Sequence, residues 1–387
     1  MIVPLAIYLH IPFCRTKCTY CAFNTYTNLD PLFDTFVNAL VHEIRLAGES
    51  KPGQKVGTIF FGGGTPSLLT PEQIQRILTG ISTYFEVQPD AEISLEANPN
   101  DITKAYLTEL RRVGINRLSL GMQSANLSEL TLFARRHDND QTVRAVSAAR
   151  AAGFDNLNLD MIYGVPHQTL ESWDWSLQQM MALQPDHVSL YALGLEDGTP
   201  MQQWVAKGRL PTPDDDLAAD MYELATEKLA SAAYEQYEIS NWSKSGHQCR
   251  HNLQYWRNLP YAGFGPGAHG YADGVRYSTI LSPQRYVQVL QDAQEVYVFP
   301  HTPATHEAVV VDREGEIAET LIMGLRLTQE GINRETFIER FGIDLVELHR
   351  PIIEKYMSYG LLHVDENVVR ITQQGRLLSN MVFRELV

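Results

Sequence analysis

The stretch LAIYLHIPFCRTKCTYC, residues 5–21, decides how the rest of the chain is read. Leu5–His10 is a short apolar run rich in strand formers, and a loop with three cysteines follows it almost at once. Similar runs recur at Val56–Phe61, Glu92–Ala97, Arg117–Leu120, Asn156–Tyr163 and His187–Tyr191. Each ends in Gly, Asn, Pro or a polar residue, as expected for buried parallel strands. Amphipathic segments lie between them, at Leu32–Ala47, Pro71–Tyr84, Thr103–Val113, Gln141–Ala152 and Leu170–Ala182. Thr70-Pro71 marks a helix start, and Gly114 and Gly153 sit where helices would stop. Strands alternating with helices predict a parallel sheet wrapped by helices. The periodicity fits a complete small barrel or an incomplete larger one.

Composition narrows the function classes. The chain has 387 residues, 44% apolar and 20% charged, which suits a globular protein with a sizeable core. Acidic residues outnumber basic ones 46 to 31, for a net charge of −15. That balance argues against a broad phosphate-binding surface. Four cysteines cannot form the scaffold of a small secreted protein. The apolar start has no basic leader, and no apolar run is as long as a membrane span, so the expected compartment is the cytoplasm.

Cys14, Cys18 and Cys21 have the form C-x3-C-x2-C. Thiolates this close suit zinc, copper(I) or an iron–sulfur centre. A structural zinc site wants a fourth ligand, for which His10 and Cys249 are the nominal candidates. An iron–sulfur cluster held by three cysteines leaves one iron open. Gly62-Gly63-Gly64-Thr65-Pro66 closes the second strand and can bring backbone N–H groups close to a ligand, but it has neither the Walker A nor the dinucleotide-binding spacing. Glu96, Gln123, Arg135 and Asp160 all fall at or after predicted strand ends, the rim where parallel barrels build their sites.

With Tyr20 before the last cysteine, the motif resembles the signature of radical S-adenosylmethionine (SAM) proteins. The resemblance implies an α/β fold, a radical SAM partial (β/α)6 TIM-type barrel. It also implies a [4Fe–4S] cluster on Cys14, Cys18 and Cys21, with SAM chelating the open iron. It tightens to the oxygen-independent coproporphyrinogen III oxidase family over YLHIPFC (8–14), FGGGTPS (61–67), LEANP (95–99), GINRLSLGMQS (114–124), NLDMIYGVPHQT (158–169), HVSLYAL (187–193) and YEISNWSKSGHQCRHNLQYW (237–256). By position it assigns SAM contacts to Tyr8, Tyr20, Gly63, Gly64, Thr65, Glu96, Gln123, Arg135 and Asp160.

Two branches of that family differ near the cysteines. The oxidases, which decarboxylate two propionates of coproporphyrinogen III to give protoporphyrinogen IX, carry an N-terminal extension and a further cysteine two residues after the third. This chain begins shortly before Cys14 and has Phe23 at the extra position. Both departures favour the haem-chaperone branch of HemW type, although that branch usually has Asp where Ala22 stands. The resemblance to that branch implies haem as cargo, acceptor haemoproteins, possible respiratory and membrane-associated ones among them, and a reductant protein as partners. It leaves open whether the chain is an enzyme and ranks a chaperone ahead of a coproporphyrinogen III dehydrogenase. His251-Asn252-Leu253-Gln254-Tyr255-Trp256 matches the HNxxYW motif proposed to bind haem, which makes His251 the haem-binding candidate; His269, in a Gly-rich loop, is a second.

The expected organisation is a partial barrel over 1–200, a barrel-completing, substrate-side region with the HNxxYW motif over 201–305, and a C-terminal winged-helix-like α+β domain over 306–387. Gly194–Asp216 reads as a crossing loop before a helix at Asp214–Ala232, and Gly263–Gly274 as a Gly- and aromatic-rich segment over a cavity. The last region reads as helices near Glu314–Leu325, Asn333–Phe341 and Asp344–Tyr359, a hairpin at Leu361–Ile371 and a helix from Thr372. Winged helices can bind DNA, but Glu307–Val387 carries 14 acidic and 9 basic residues, so nucleic acid is not an expected partner and a DNA-binding regulator is the weakest reading.

Overall fold

The computed structural model describes residues 3–293 and 296–386. The sheet begins β1 (Leu5–Ile11), α1 (Phe33–Ser50), β2 (Lys55–Gly63), α2 (Pro71–Tyr84), β3 (Glu86–Ala97), α3 (Lys104–Arg112) and β4 (Arg117–Gln123). It continues with α4 (Leu127–Leu132), α5 (Asn139–Ala151), β5 (Leu157–Tyr163), α6 (Leu170–Ala182) and β6 (His187–Ala192). The six strands lie side by side in sequence order, and every neighbouring pair is parallel. This is the expected α/β partial barrel. The strands read as nearly unbroken apolar runs because they are covered on both faces: β1 and β5 each bury six of seven residues. Parallel pairing puts every strand's C-terminus at one rim, and every loop that leaves this rim can contribute to one site.

The helices start where their caps say they should. Thr70 and Gln73 form a capping box before Pro71, Thr169 and Ser172 form another, and Thr103 and Asp138 accept from N3 amides. The expected crossing loop after β6 instead contains a short helix, α7 (Pro200–Ala206). Its signal was Thr199-Pro200, the same N-cap and N1 pair that starts α2.

The chain continues through α8 (Asp215–Ser231), β7 (Glu235–Glu238), β8 (Asn241–Ser243), α9 (Arg250–Trp256), β9 (Tyr261–Phe264), β10 (His269–Ala272), β11 (Val275–Thr279), α10 (Pro283–Gln291) and β12 (Thr305–Val310). Two compact units result. One holds the chain through Ala225 together with Pro260–Val309, and the other holds Thr226–Leu259 and the chain from Val310 onward. This differs from the three-part division at 200 and 305. The middle region is split because β9 pairs in parallel with β1 and is extended by β10 and β11, so 260–309 joins the barrel sheet. The segment with the HNxxYW motif goes with the C-terminal residues instead.

The Gly-rich segment 263–274 packs closely against the barrel at His10 and Glu43. A Cβ on Gly263 would lie 2.0 Å from the His269 carbonyl oxygen, and one on Gly265 would lie 2.4 Å from that of His10. The Gly265 amide donates to Glu43 Oε2 at 2.9 Å, Tyr286 Oη donates to the same oxygen at 2.6 Å, and Thr302 Oγ1 donates to Oε1 at 2.8 Å. Burial pushes the Glu43 carboxyl up, and the three donors oppose that shift. Glu43→Leu leaves three buried donors without an acceptor. The expected loss is about 3 kcal/mol or more, read as a lower urea midpoint.

The second unit ends in α11 (Arg313–Gly324), β13 (Ile332–Asn333), α12 (Arg334–Phe341), α13 (Leu345–Leu348), α14 (Arg350–Ser358), β14 (Leu362–Val364), β15 (Val368–Ile371) and α15 (Ser379–Glu385). The three strands form an antiparallel sheet in the order β13-β15-β14, and Leu321, Phe337, Leu345, Ile353, Tyr356, Val369 and Ile371 fill the core beside it. The final helix begins at Ser379, not Thr372. Thr372 instead closes a turn: its hydroxyl donates to the Gly360 carbonyl at 2.6 Å and accepts from the Gly375 amide at 3.0 Å. Among the described residues no helix is long and apolar enough to cross a membrane.

Candidate active site

The barrel rim encloses a cavity of about 650 Å³. Cys14, Cys18, Cys21, Tyr20, Gly63, Gly64, Thr65, Glu96, Gln123, Arg135 and Asp160 all line it. Of the expected barrel-site residues, only Tyr8 is not brought to its wall. The Tyr8 ring stacks on Phe60, and its hydroxyl meets His10 Nδ1 at 3.1 Å.

The cysteine loop is strapped down by backbone. The Cys14 amide donates to the Tyr26 carbonyl at 2.9 Å and the Cys21 amide to that of Cys18 at 3.2 Å. The glycine turn clamps the loop from the other side, with Gly64 N–H to Ile11 O and Thr65 N–H to Phe13 O, both at 2.8 Å. A Cβ on Gly64 would lie 2.6 Å from the Phe13 carbonyl oxygen and 2.8 Å from that of Ile11. Gly64→Ala therefore pushes backbone against backbone, and we expect a loss of roughly 2 kcal/mol and reduced iron uptake on reconstitution. Denaturation and iron analysis check both.

Two thiols have side-chain donors aimed at them. Thr65 Oγ1 donates to Cys14 Sγ at 3.6 Å, and Arg135 Nη1 donates to Cys18 Sγ at 3.6 Å. Burial raises the Cys14 and Cys21 thiols; Thr65 works against this at Cys14, and the Phe23 amide and then the Lys17 cation do so at Cys21. Such donors favour the thiolate, the form that binds metal. Among the described residues no three His, Cys, Asp or Glu side chains gather closely enough to hold a single ion. A cubane takes each thiolate on a different iron and makes no such demand. Three thiols on one wall, each with a donor acting on its sulfur, fit a [4Fe–4S] cluster better than one zinc ion.

The opposite wall is polar and charged. Glu96 Oε2 accepts from the Gly63 amide at 3.2 Å. Burial and the neighbouring Asp160 carboxylate push the Glu96 carboxyl up to about 8. Asp160 accepts from Ser119 Oγ at 2.9 Å and Asn158 Nδ2 at 2.7 Å, and burial raises its carboxyl too. Arg135 is the hinge of the site. Beyond Cys18, its Nη2 donates to the Gly121 carbonyl at 2.8 Å and to Asn98 Oδ1. Gln123 has φ +64, the left-handed region, at a bulge in the β4–β5 register. The bulge re-aims its side chain over Gly121, where a Cβ would lie 2.7 Å from Gln123 Nε2.

The sequence alone missed the supporting residues. Asn98 bridges Thr65 and Arg135, Ser119 and Asn158 hold Asp160, and the buried Arg117 cation acts on both Glu96 and Asp160. Asn98 stood in the LEANP stretch, and Ser119 and Asn158 were polar positions inside apolar strands; each was a readable signal. His251 belongs to the second unit. It is 1% exposed, and its Nε2 pairs with Tyr255 Oη at 2.8 Å across one helical turn of α9. Cys249, just before α9, is buried.

Comparison with known proteins places these features among relatives. Residues 8–180 match the radical SAM superfamily model, and 311–378 match the HemN C-terminal domain. The chain is 37% identical to the haem chaperone HemW of Bacillus subtilis, over 97% of both chains. It is 34% identical to HemW of Escherichia coli, over 97% of this chain and 96% of that one. Mouse mitochondrial radical S-adenosyl methionine domain-containing protein 1 is 34% identical over 96% of this chain and 84% of its own. Among solved structures, coproporphyrinogen III oxidase (HemN) from Escherichia coli matches with a TM-score of 0.84 at 24% identity, over 99% of this chain and 90% of that one, which is a likeness of fold.

Proposed function

We propose, from the premise that this chain belongs to the HemW family of radical SAM proteins, that it binds haem and delivers it to haemoproteins. The carrying observation is end-to-end similarity to the Bacillus subtilis haem chaperone, 37% identity over 97% of each chain. In this reading Cys14, Cys18 and Cys21 hold the [4Fe–4S] cluster. A cluster with one open iron supplies a place for SAM to chelate and, on reduction, the electron that cleaves its sulfonium bond.

The chain's own residues seat that ligand. Glu96 offers a carboxylate beside Gly63–Thr65 to accept from an amino group. Asp160, held by Ser119 and Asn158, offers oxygens to hydroxyl donors, while Tyr20 and Gln123 close the wall. Tyr8 supports from outside the cavity through His10. The expected setting is cytoplasmic, with a reductant protein and haemoprotein acceptors as partners. His251 contacts haem only if α9 opens, since its Nε2 is held by Tyr255 in an enclosed position.

The test separates this function from its nearest alternative, oxidative decarboxylation of coproporphyrinogen III. The reconstituted chain is given coproporphyrinogen III, SAM and a reductant under anaerobic conditions. The expected result is no multiple-turnover formation of protoporphyrinogen IX; steady formation overturns the chaperone assignment. In a parallel haem titration, an unchanged spectrum and affinity in His251→Ala removes a ligand role for that residue.

A further inference from the structure

We infer that haem docks on the flank of the cysteine loop, with His269 as the axial ligand to its iron and Phe23 and Leu281 under the porphyrin ring. This rests on the haem-chaperone reading and adds where the cargo sits. Haem asks for two things at once: an accessible imidazole for the iron and apolar surface for the macrocycle. His269 begins β10 and is exposed, and its ring makes no hydrogen bond among the described residues. It lies close enough to His10 to help lower that imidazole's pKa, after burial.

The apolar part lies beside it. Phe23 is 67% exposed and Leu281 55% exposed. Asn24 ties these pieces together. Its Nδ2 donates to the carbonyls of Pro266 and Leu281, both at 2.9 Å, and its carbonyl lies 3.0 Å from His10 Nε2. A Cβ on Gly267 would lie 2.5 Å from Asn24 Nδ2, so the loop that delivers His269 is pressed onto the residue after Phe23. Tyr26 Oη also donates to the Leu281 carbonyl, at 3.3 Å. An unengaged imidazole and two exposed apolar side chains are thus carried by segments that Asn24 ties together. Phe23 also lines the cavity wall, so this surface is continuous with the site that holds the cysteines.

The experiment uses the full chain, ferric haem and iron-free protoporphyrin IX, read by Soret absorption and electron paramagnetic resonance. His269→Ala is expected to shift the Soret band and weaken haem binding by about tenfold or more while leaving protoporphyrin affinity unchanged. Free imidazole added to His269→Gly restores the spectrum. Phe23→Ala is expected to weaken both ligands by roughly fivefold to tenfold, since it removes ring contact and not ligation. If wild type binds haem and both variants keep its spectrum and affinities, the docking site is wrong and the haem-chaperone reading stands. If wild type takes up no stoichiometric haem, both fall. Because the Phe23 arm needs no iron, it still decides the ring contact should the His269 variants fail to fold.

Discussion

Glu96→Gln is expected to stabilise the chain at pH 8 and, on the proposed reading, to weaken SAM binding about 100-fold. In the folded chain burial and Asp160 push the Glu96 carboxyl up to about 8, against 4.5 for an unperturbed one. The folded state therefore holds this proton more tightly than the unfolded state does. Glu96 costs nothing below about pH 4.5, costs progressively more as pH rises towards 8, and is level above that. Glutamine is neutral throughout and can keep an oxygen for the Gly63 amide. The gain is about 3 kcal/mol at pH 8, allowing for solvation by water in the cavity, and close to zero at pH 5. Thermal melts at both values check it.

The same substitution removes the carboxylate that, on the proposed reading, accepts from the amino group of SAM, and the expected loss of SAM affinity is about 100-fold. On that reading Glu96 must lose its proton to accept from the amino group in full, so affinity is expected to rise as pH goes from 6 to 8. A variant that is less stable at pH 8, or that binds SAM within threefold of wild type, contradicts this account of Glu96.

The second large effect is at Arg135. Its guanidinium joins Cys18, the Asn98 side chain and the Gly121 carbonyl in one planar fork. Arg135→Leu leaves two oxygens without a donor and removes a cation from beside the Cys18 sulfur. The expected cost is about 2–4 kcal/mol in stability, with most of the iron lost after reconstitution and desalting. Arg135→Lys recovers little, because an ammonium cannot serve three directions in one plane. Denaturation midpoints and iron per chain give both readings. Full iron retention in the leucine variant would show that the cysteines hold the cluster without this hinge.

The fold and the site were unequally legible in the sequence. The six parallel strands showed because each is covered on both faces and so is written as an apolar run. Cys14, Gly64, Glu96 and Asp160 showed because they interrupt or end those runs. Three things did not show. The return of 260–309 to the edge of β1 depends on pairing between residues more than 250 positions apart, such as Ala6 with Tyr261, and no local period encodes that. The enclosure of His251 depends on tertiary packing, while its motif advertises only residue types. Arg117 looked like an ordinary strand residue, although it is 2% exposed beneath two carboxylates. Burial of a charge is a property of the fold and leaves no mark in its immediate neighbours.

The central claim is that this chain carries haem to other proteins. The most direct measurement loads the reconstituted chain with haem, removes the excess, and mixes it with an apo-haemoprotein whose Soret band differs from that of the loaded chain. The account predicts about one haem per chain leaving for the acceptor, faster than from haem-loaded serum albumin at the same concentration. Failure to retain stoichiometric haem, or transfer no faster than from albumin, would contradict it.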